Sequence, residues 1–215
     1  MKQIVSDQDR SHLDTRVAET EQRTGTQIVL SVIQRSDAYA ELPWKAFAFG
    51  ASASGLIFLL LYRQLSGQYH DVPALIMAAG ILASGSLLAL LSVMIPRFAR
   101  CFLSGYRAEA EVQQYAKSLF LDRELFATRK RTGILLLVSL FERRVVIFPD
   151  KGLDAHLQEE ERRRMIGAMT PFLKRKQIRE AFEAGLDCLS RTLTTSGREV
   201  RDNELPDQVI EEEGL

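Results

Sequence analysis

Two aspartates, each just beyond a β-branched apolar run, are the residues best suited to hard-acid chemistry. Asp37 follows QIVLSVI and Asp150 follows VVIFP. If the strands ending at Ile33 and Pro149 run parallel, both carboxylates leave the sheet at one end, where ligands bind in open α/β sheets. A strand of opposite direction between them would start at that end and bring Thr128 and Thr132 alongside. Two carboxylates, two hydroxyls and backbone carbonyls make a hard-oxygen set suited to calcium or magnesium. Asp37, Asp150, Thr128 and Thr132 are therefore the expected metal ligands, with Asp122 and Glu124 as further contributors. If the chemistry is phosphate-monoester hydrolysis, Asp37 and Asp150 are also the expected catalytic residues, because that reaction needs a metal-bound water or an aspartate nucleophile. Arg129, Lys130 and Arg131, on the loop before Thr132, supply cations for the transferring group.

The competing reading is plain turn chemistry. S-D and P-D-x-G are common turn sequences, and Lys151 places a cation directly beside Asp150. ATRKRTG lacks P-loop spacing, and neither a C-x-x-x-x-x-R signature nor a paired D-x-D-x-T motif occurs. His12, His70 and His156 are too scattered for a metal triad. Cys101 and Cys188 form no C-x-x-C pair, which suits a reducing compartment.

The elements that would position these residues read as a small α/β domain. A helix over 6–24 with a Gly25 stop leads into a strand over 27–33. Later come a helix over 107–121, strands over 134–141 and 144–149 joined tightly at Glu142 and Arg143, and two amphipathic helices over 158–174 and 177–193. Runs such as LLLVSLF and VVIF are continuous in apolar residues, as in a sheet buried on both faces. Residues 1–45 cannot bury a core alone, so they join residues 105–195 in one helix–sheet–helix layered domain. Residues 196–215 are acidic and poor in core residues, and are expected to be disordered.

What interrupts that domain is apolar. Of 215 residues, 28 are basic and 28 acidic, yet charge is absent from both halves of the chain's centre. Ala46 to Tyr62 and Pro73 to Ile95 carry no charge; the first is at the lower edge of the length needed to cross a hydrocarbon core of about 30 Å, and the second is comfortably long enough. Soluble helices of that length keep a polar face. A transmembrane hairpin over 46–96 is therefore expected, packed through small residues, Gly50, Ser52, Ser54 and Gly55 in the first span and Gly80, Ala83, Ser84, Gly85 and Ser86 in the second. Arg35 and Lys45 precede it and Arg97, Arg100 and Arg107 follow it, while its connection carries one Arg and one Asp, which places both termini and the soluble domain in the cytoplasm. The N-terminus lacks an apolar run with a cleavage site, so no signal peptide is expected. The bilayer is one partner; nucleic acid is not expected to be another, and no ionisable residue inside the spans marks a transport path.

In this order the motifs become recognisable. AETEQRTGTQIVLSVIQRSDAY and FATRKRTGILLLVSLFERRVVIFPDKGLD, followed by a helix pair, resemble the TPM domain family of thylakoid acid phosphatase-like proteins. The pattern E-x-x-T-G, S-D-x-Y, T-x-x-x-T-G-x-L, E-R-x-V, D-x-G is met at Glu21, Thr24, Gly25, Ser36, Asp37, Tyr39, Thr128, Thr132, Gly133, Leu135, Glu142, Arg143, Val145, Asp150 and Gly152. The resemblance implies a layered fold in a membrane-anchored bacterial member. It also implies acid phosphatase activity, binding of calcium or another divalent metal, or assembly and repair of membrane protein complexes. An internal anchor and the lack of a glycine-rich tail set this chain apart. The expected function is a membrane-tethered interaction module that binds a divalent cation; the alternative is a metal-dependent phosphomonoesterase.

Overall fold

The computed structural model describes residues 5–65, 74–153, 155–194 and 210–212. The hairpin connection with Tyr69 and His70, and most of the acidic tail, lie outside the described residues. Along the chain run α1 (Asp7–Thr24), β1 (Gln27–Ile33), α2 (Glu41–Leu65), α3 (Ala74–Met94), α4 (Pro96–Ala99), α5 (Gly105–Asp122), β2 (Gly133–Ser139), β3 (Arg144–Pro149), α6 (Glu159–Lys174), α7 (Ile178–Thr194) and β4 (Ile210–Glu212). They form two compact units, one of Met1–Asp37 with Glu109–Leu215 and one of Ala38–Ala108.

Helix α1 starts where the Ser6 hydroxyl accepts the Asp9 N–H at 3.1 Å and stops at Gly25, which has φ 63° and donates its N–H to the Glu21 carbonyl. That left-handed cap favours glycine. Gly25→Ala is expected to lower stability by about 1 kcal/mol, read as a fall in Tm with unchanged helix content.

The sheet order is β3-β2-β1-β4. β1 and β2 are parallel, from Gln27 against Gly133 to Ile33 against Ser139. β2 and β3 are antiparallel, from Ile134 against Pro149 to Ser139 against Arg144. The connections dictate both directions. β2 and β3 are joined by residues 140–143, with Arg143 at φ 55°, too short for anything but an antiparallel return. β1 reaches β2 only through a long segment containing α5, which packs on the sheet and returns the chain to the end where β1 began. β1 and β3 therefore run in opposite directions, and the premise of two parallel strands ending at Ile33 and Pro149 is corrected.

Alternation along the strands divides the core in two. Ile28, Leu30, Val32, Ile134, Leu136 and Val138 pack under α1, α6 and α7 with Leu13, Met165, Phe182 and Leu189. Val29, Ile33, Leu135 and Leu137 face α5 through Val112, Ala116, Leu119 and Phe120. All residues of β1 and β2 are buried, whereas β3, whose VVIF run is expected to be buried on both faces, is an edge strand with mostly half-buried residues, because no strand covers its outer side among the described residues. The tail expected to be disordered contributes one short element: Ile210–Glu212 lies parallel on the outer side of Ser31–Ile33, and Ile210 packs on the α5-facing core. A β-branched residue satisfying an otherwise open edge is the physical reason.

In the second unit α2 and α3 pack antiparallel through small residues. A Cβ on Gly85 would come within 2.9 Å of the Phe47 ring, and one on Gly50 within 3.0 Å of the Ser84 carbonyl. The Ser84 hydroxyl donates to Ser54 at 2.7 Å. Helix α2 begins at Glu41, so Trp44 and Lys45 belong to the helix and do not merely flank it. Glu41–Gln64 and Ala74–Met94 are each long and apolar enough to cross a membrane, and only 11% and 6% of their apolar windows are buried. A soluble core helix would be mostly covered; Leu59, Leu75, Leu87 and Val93 are instead more than half exposed.

Candidate functional site

The sheet's two ends are built differently, and the four expected ligands are divided between them. Six steps of strand put the ends roughly 20 Å apart. Thr128, Thr132 and Asp150 gather at the end where β1 and β2 begin and β3 finishes. Asp37, half-buried, follows β1 at the other end. The structure thus brings three of the four together and does not bring the two aspartates together.

At the first end the polar atoms hold loops to one another. The Thr128 hydroxyl accepts the Thr132 N–H at 2.9 Å, and the Thr132 carbonyl takes the Gln27 N–H at 3.2 Å. Arg131, at φ 55°, is fixed in that left-handed conformation by the Gly152 N–H, which donates to its carbonyl at 2.9 Å. Asp150 is buried. Its Oδ1 accepts the Lys151 N–H at 2.7 Å, while Oδ2 lies 2.8 Å from Arg131 Nε. That second contact is a charge pairing without an aligned N–H, since Oδ2 has no hydrogen-bond donor. Gly133 and Gly152 are close approaches: a Cβ on the first would overlap the Leu125 carbonyl and on the second the Lys130 and Arg131 carbonyls. The T-G and D-x-G motifs are here the clasp that joins three loops.

The opposite end is organised by Glu142, buried at the β2–β3 turn. Its Oε1 accepts the Ser36 N–H at 2.8 Å and the Ser36 hydroxyl at 2.7 Å, and its Oε2 accepts the Ser139 hydroxyl. Glu21 does similar work within the first unit, accepting the Ile28 N–H. Both motif glutamates therefore satisfy backbone and hydroxyl donors in the core, a role the motif pattern alone does not disclose.

These donors do not fit a resident divalent cation. Calcium takes six to eight oxygens. Here the Thr128 hydroxyl and Asp150 Oδ1 are already engaged, Arg131 stands against Oδ2, and Asp37 is at the far end. Among the described residues no three His, Cys, Asp or Glu side chains come together. Asp122 is exposed and receives the Ser118 hydroxyl at 3.4 Å, and Glu124 is exposed on a left-handed turn. Asp150→Asn is expected to lower stability by about 1–2 kcal/mol, the smaller figure following from a half-exposed Arg131. Calcium and magnesium are expected to leave Tm unchanged in both forms; a cation-dependent rise confined to the wild type would restore Asp150 as a ligand.

Beside this clasp, on the α5 side, the surface opens into a shallow groove of about 770 Å³ bounded by α5, β3 and the start of α6. Of its residues the sequence singles out Asp150, Arg131 and Lys151, but not Lys117, Leu121 or Phe126. The available signal was Lys117 and Leu121 at i,i+4 on α5, which places them on one helix face.

Residues 90–192 match the model of the TPM domain. Among solved structures the chain is similar to the NMR structure of the BA42 protein from the psychrophilic bacterium Bizionia argentinensis. The TM-score is 0.58 at 10% identity, over 99% of this chain and 98% of that one. Likeness at that identity concerns the fold. No curated protein matches the chain.

Proposed function

The chain carries a TPM domain, and from that premise we propose that it is a membrane-tethered interaction module. The α2–α3 hairpin crosses the bacterial inner membrane, and the sheet domain works at the cytoplasmic surface, where it joins a membrane protein assembly. The observation that carries this reading is the outward, uncovered apolar surface of two helices inserted between β1 and α5. In water that surface would aggregate; in hydrocarbon it is at home. Trp44 and Tyr62, both exposed near the ends of α2, suit the two bilayer interfaces. Basic residues outnumber acidic ones beside the hairpin ends that lead to the sheet domain, which supports a cytoplasmic placement.

Hydrolysis of phosphate monoesters is the alternative. It requires a shared site for Asp37 and Asp150, and those carboxylates leave opposite ends of the sheet. The test is alkaline carbonate extraction of membranes containing the full chain or a form whose residues 41–94 are replaced by a flexible linker. The full chain is expected in the pellet and the linker form in the supernatant; release of the full chain would defeat the tether. Phosphomonoester hydrolysis, followed in the same preparations with added magnesium or calcium, is expected to be nil. Cation-dependent turnover lost in Asp150→Asn would put a hydrolase in place of the module.

A further inference from the structure

The groove beside the Asp150 clasp has three properties that converge on one kind of occupant. The first is an open strand edge. β3 is the outermost strand on its side among the described residues. The Asp150 N–H bonds to the Gly133 carbonyl at 2.8 Å, which sets the phase of the ladder: Phe148, Val146 and Arg144 bond inward to β2, while Val145 and Ile147 direct N–H and C=O outward. Val146, Ile147, Phe148 and Pro149 all line the groove. Neighbouring strand residues point to opposite faces, so four in a row along one groove means that it runs along the strand's edge.

The second property is apolar exposure. Leu121 and Phe126, 59% and 36% exposed, are the exposed large hydrophobics of the sheet-containing unit among the described residues, and both stand in this groove. Below them Phe120 and Phe148 meet edge to face at 5.0 Å, giving a rigid aromatic floor. The third is charge. The groove is lined by Lys117, Arg131, Lys151 and Arg162 against Asp150 and Glu159. Arg131 is held by Asp150 and Arg162 by Glu159. Lys117 and Lys151 have no carboxylate partner among the described residues.

We infer that this groove takes an extended acidic and apolar segment of a partner protein, added as a strand along the outer edge of β3. Outward N–H and C=O groups of Val145 and Ile147 give main-chain bonds, Leu121 and Phe126 cover apolar side chains of the added strand, and Lys117 and Lys151 pair with its carboxylates. Pro149 has no N–H and ends the available row, so the added strand is short. The opposite edge of the sheet illustrates the chemistry: Ile210–Glu212, with the sequence Ile-Glu-Glu, is added to β1. The inference rests on the interaction-module reading and names its partner class.

The test uses the full chain in detergent micelles and a fluorescent peptide of alternating residues, Glu-Val-Asp-Ile repeated twice, read by anisotropy. Saturable binding weakened by salt is expected. The double variant Lys117→Glu with Lys151→Glu, both exposed positions that leave Tm unchanged, is expected to weaken binding by at least about tenfold. N-methylation of alternate peptide nitrogens is expected to do the same by removing main-chain bonds. No binding, or binding indifferent to the lysine variant or to N-methylation, overturns the inference. If phosphatidylglycerol in the micelle displaces the peptide and the N-methylated form binds as well as the parent, the lysines serve lipid headgroups and the inference also fails. A negative peptide result beside intact carbonate resistance removes the groove and leaves the tether; loss of carbonate resistance removes the tether whatever the peptide does.

Discussion

Gly152→Ala is expected to destabilise the sheet domain by about 3 kcal/mol or more, enough to leave it unfolded or barely folded. The added methyl has nowhere to go. It would overlap the carbonyl oxygens of both Lys130 and Arg131, which are backbone atoms fixed by the Gly152 N–H to Arg131 carbonyl bond and by the left-handed turn at Arg131. Relief would require separating the 128–132 loop from the turn after β3, with loss of the Asp150 and Arg131 pairing. Gly167→Ala is the matched contrast, since a Cβ there meets nothing within 4 Å inside α6. That change is expected to stabilise by up to about 1 kcal/mol through helix propensity. Thermal denaturation of the two variants in the same detergent checks both; equal effects would mean that the clasp does not constrain the fold.

Glu142→Ala is the second large effect, with an expected loss of about 3 kcal/mol. One carboxylate accepts the Ser36 N–H, the Ser36 hydroxyl and the Ser139 hydroxyl, and both serines are buried. Removing it strands three donors, and bonds to an ionised acceptor are stronger than neutral ones. Glu142→Gln keeps an acceptor oxygen but loses the charge and one acceptor, so its loss is expected to be about half as large. Hydrogen exchange at the Ser36 amide separates the local effect from global unfolding. In Glu142→Ala it is expected to accelerate well beyond exchange at Leu136 in the centre of β2; unchanged protection at Ser36 would show that another group holds the turn.

Much of the fold was readable from the sequence for physical reasons. The span over 27–33 and the span over 144–149 coincide with β1 and β3, because β-branched runs bounded by Gly25, Arg143 and Pro149 leave little choice of boundary. The burial of β2 was evident from the unbroken LLLVSLF run, while the equally apolar VVIF run belongs to the half-buried edge strand β3; the α6 and α7 faces were evident from apolar spacing at Met165, Met169, Phe182, Leu186 and Leu189. The apolar helices were legible because nothing charged lies between Ala46 and Tyr62 or between Pro73 and Ile95.

What the sequence reading missed was direction. A connection that contains α5 and packs it on the sheet favours parallel β1 and β2, and a four-residue turn makes β3 antiparallel. Those two facts, both visible in the element order, already separate Asp37 from Asp150. The shared site of Asp37 and Asp150 depended instead on parallel strands ending at Ile33 and Pro149, and an aspartate in a turn after a strand looks alike at either end of a sheet. The roles of Glu21 and Glu142 were hidden for another reason. Apart from the Ser139 hydroxyl, three positions from Glu142, their partners lie seven to about a hundred positions away, and such pairings are fixed only once the strands are in register. The groove escaped notice because Leu121, Phe126 and Lys117 read as ordinary helix-surface residues until β3 is known to be an edge.

The proposed double crossing of the membrane with the sheet domain inside is tested most directly by cysteine labelling. In a background with Cys101→Ser and Cys188→Ser, single cysteines are placed at Gln68 in the hairpin connection and at Lys130 in the sheet domain. A membrane-impermeant maleimide applied to intact cells is predicted to label Gln68→Cys at once and Lys130→Cys only after permeabilisation. The reverse pattern would put the sheet domain outside, and labelling of neither position before permeabilisation would mean that the α2–α3 hairpin does not cross the bilayer.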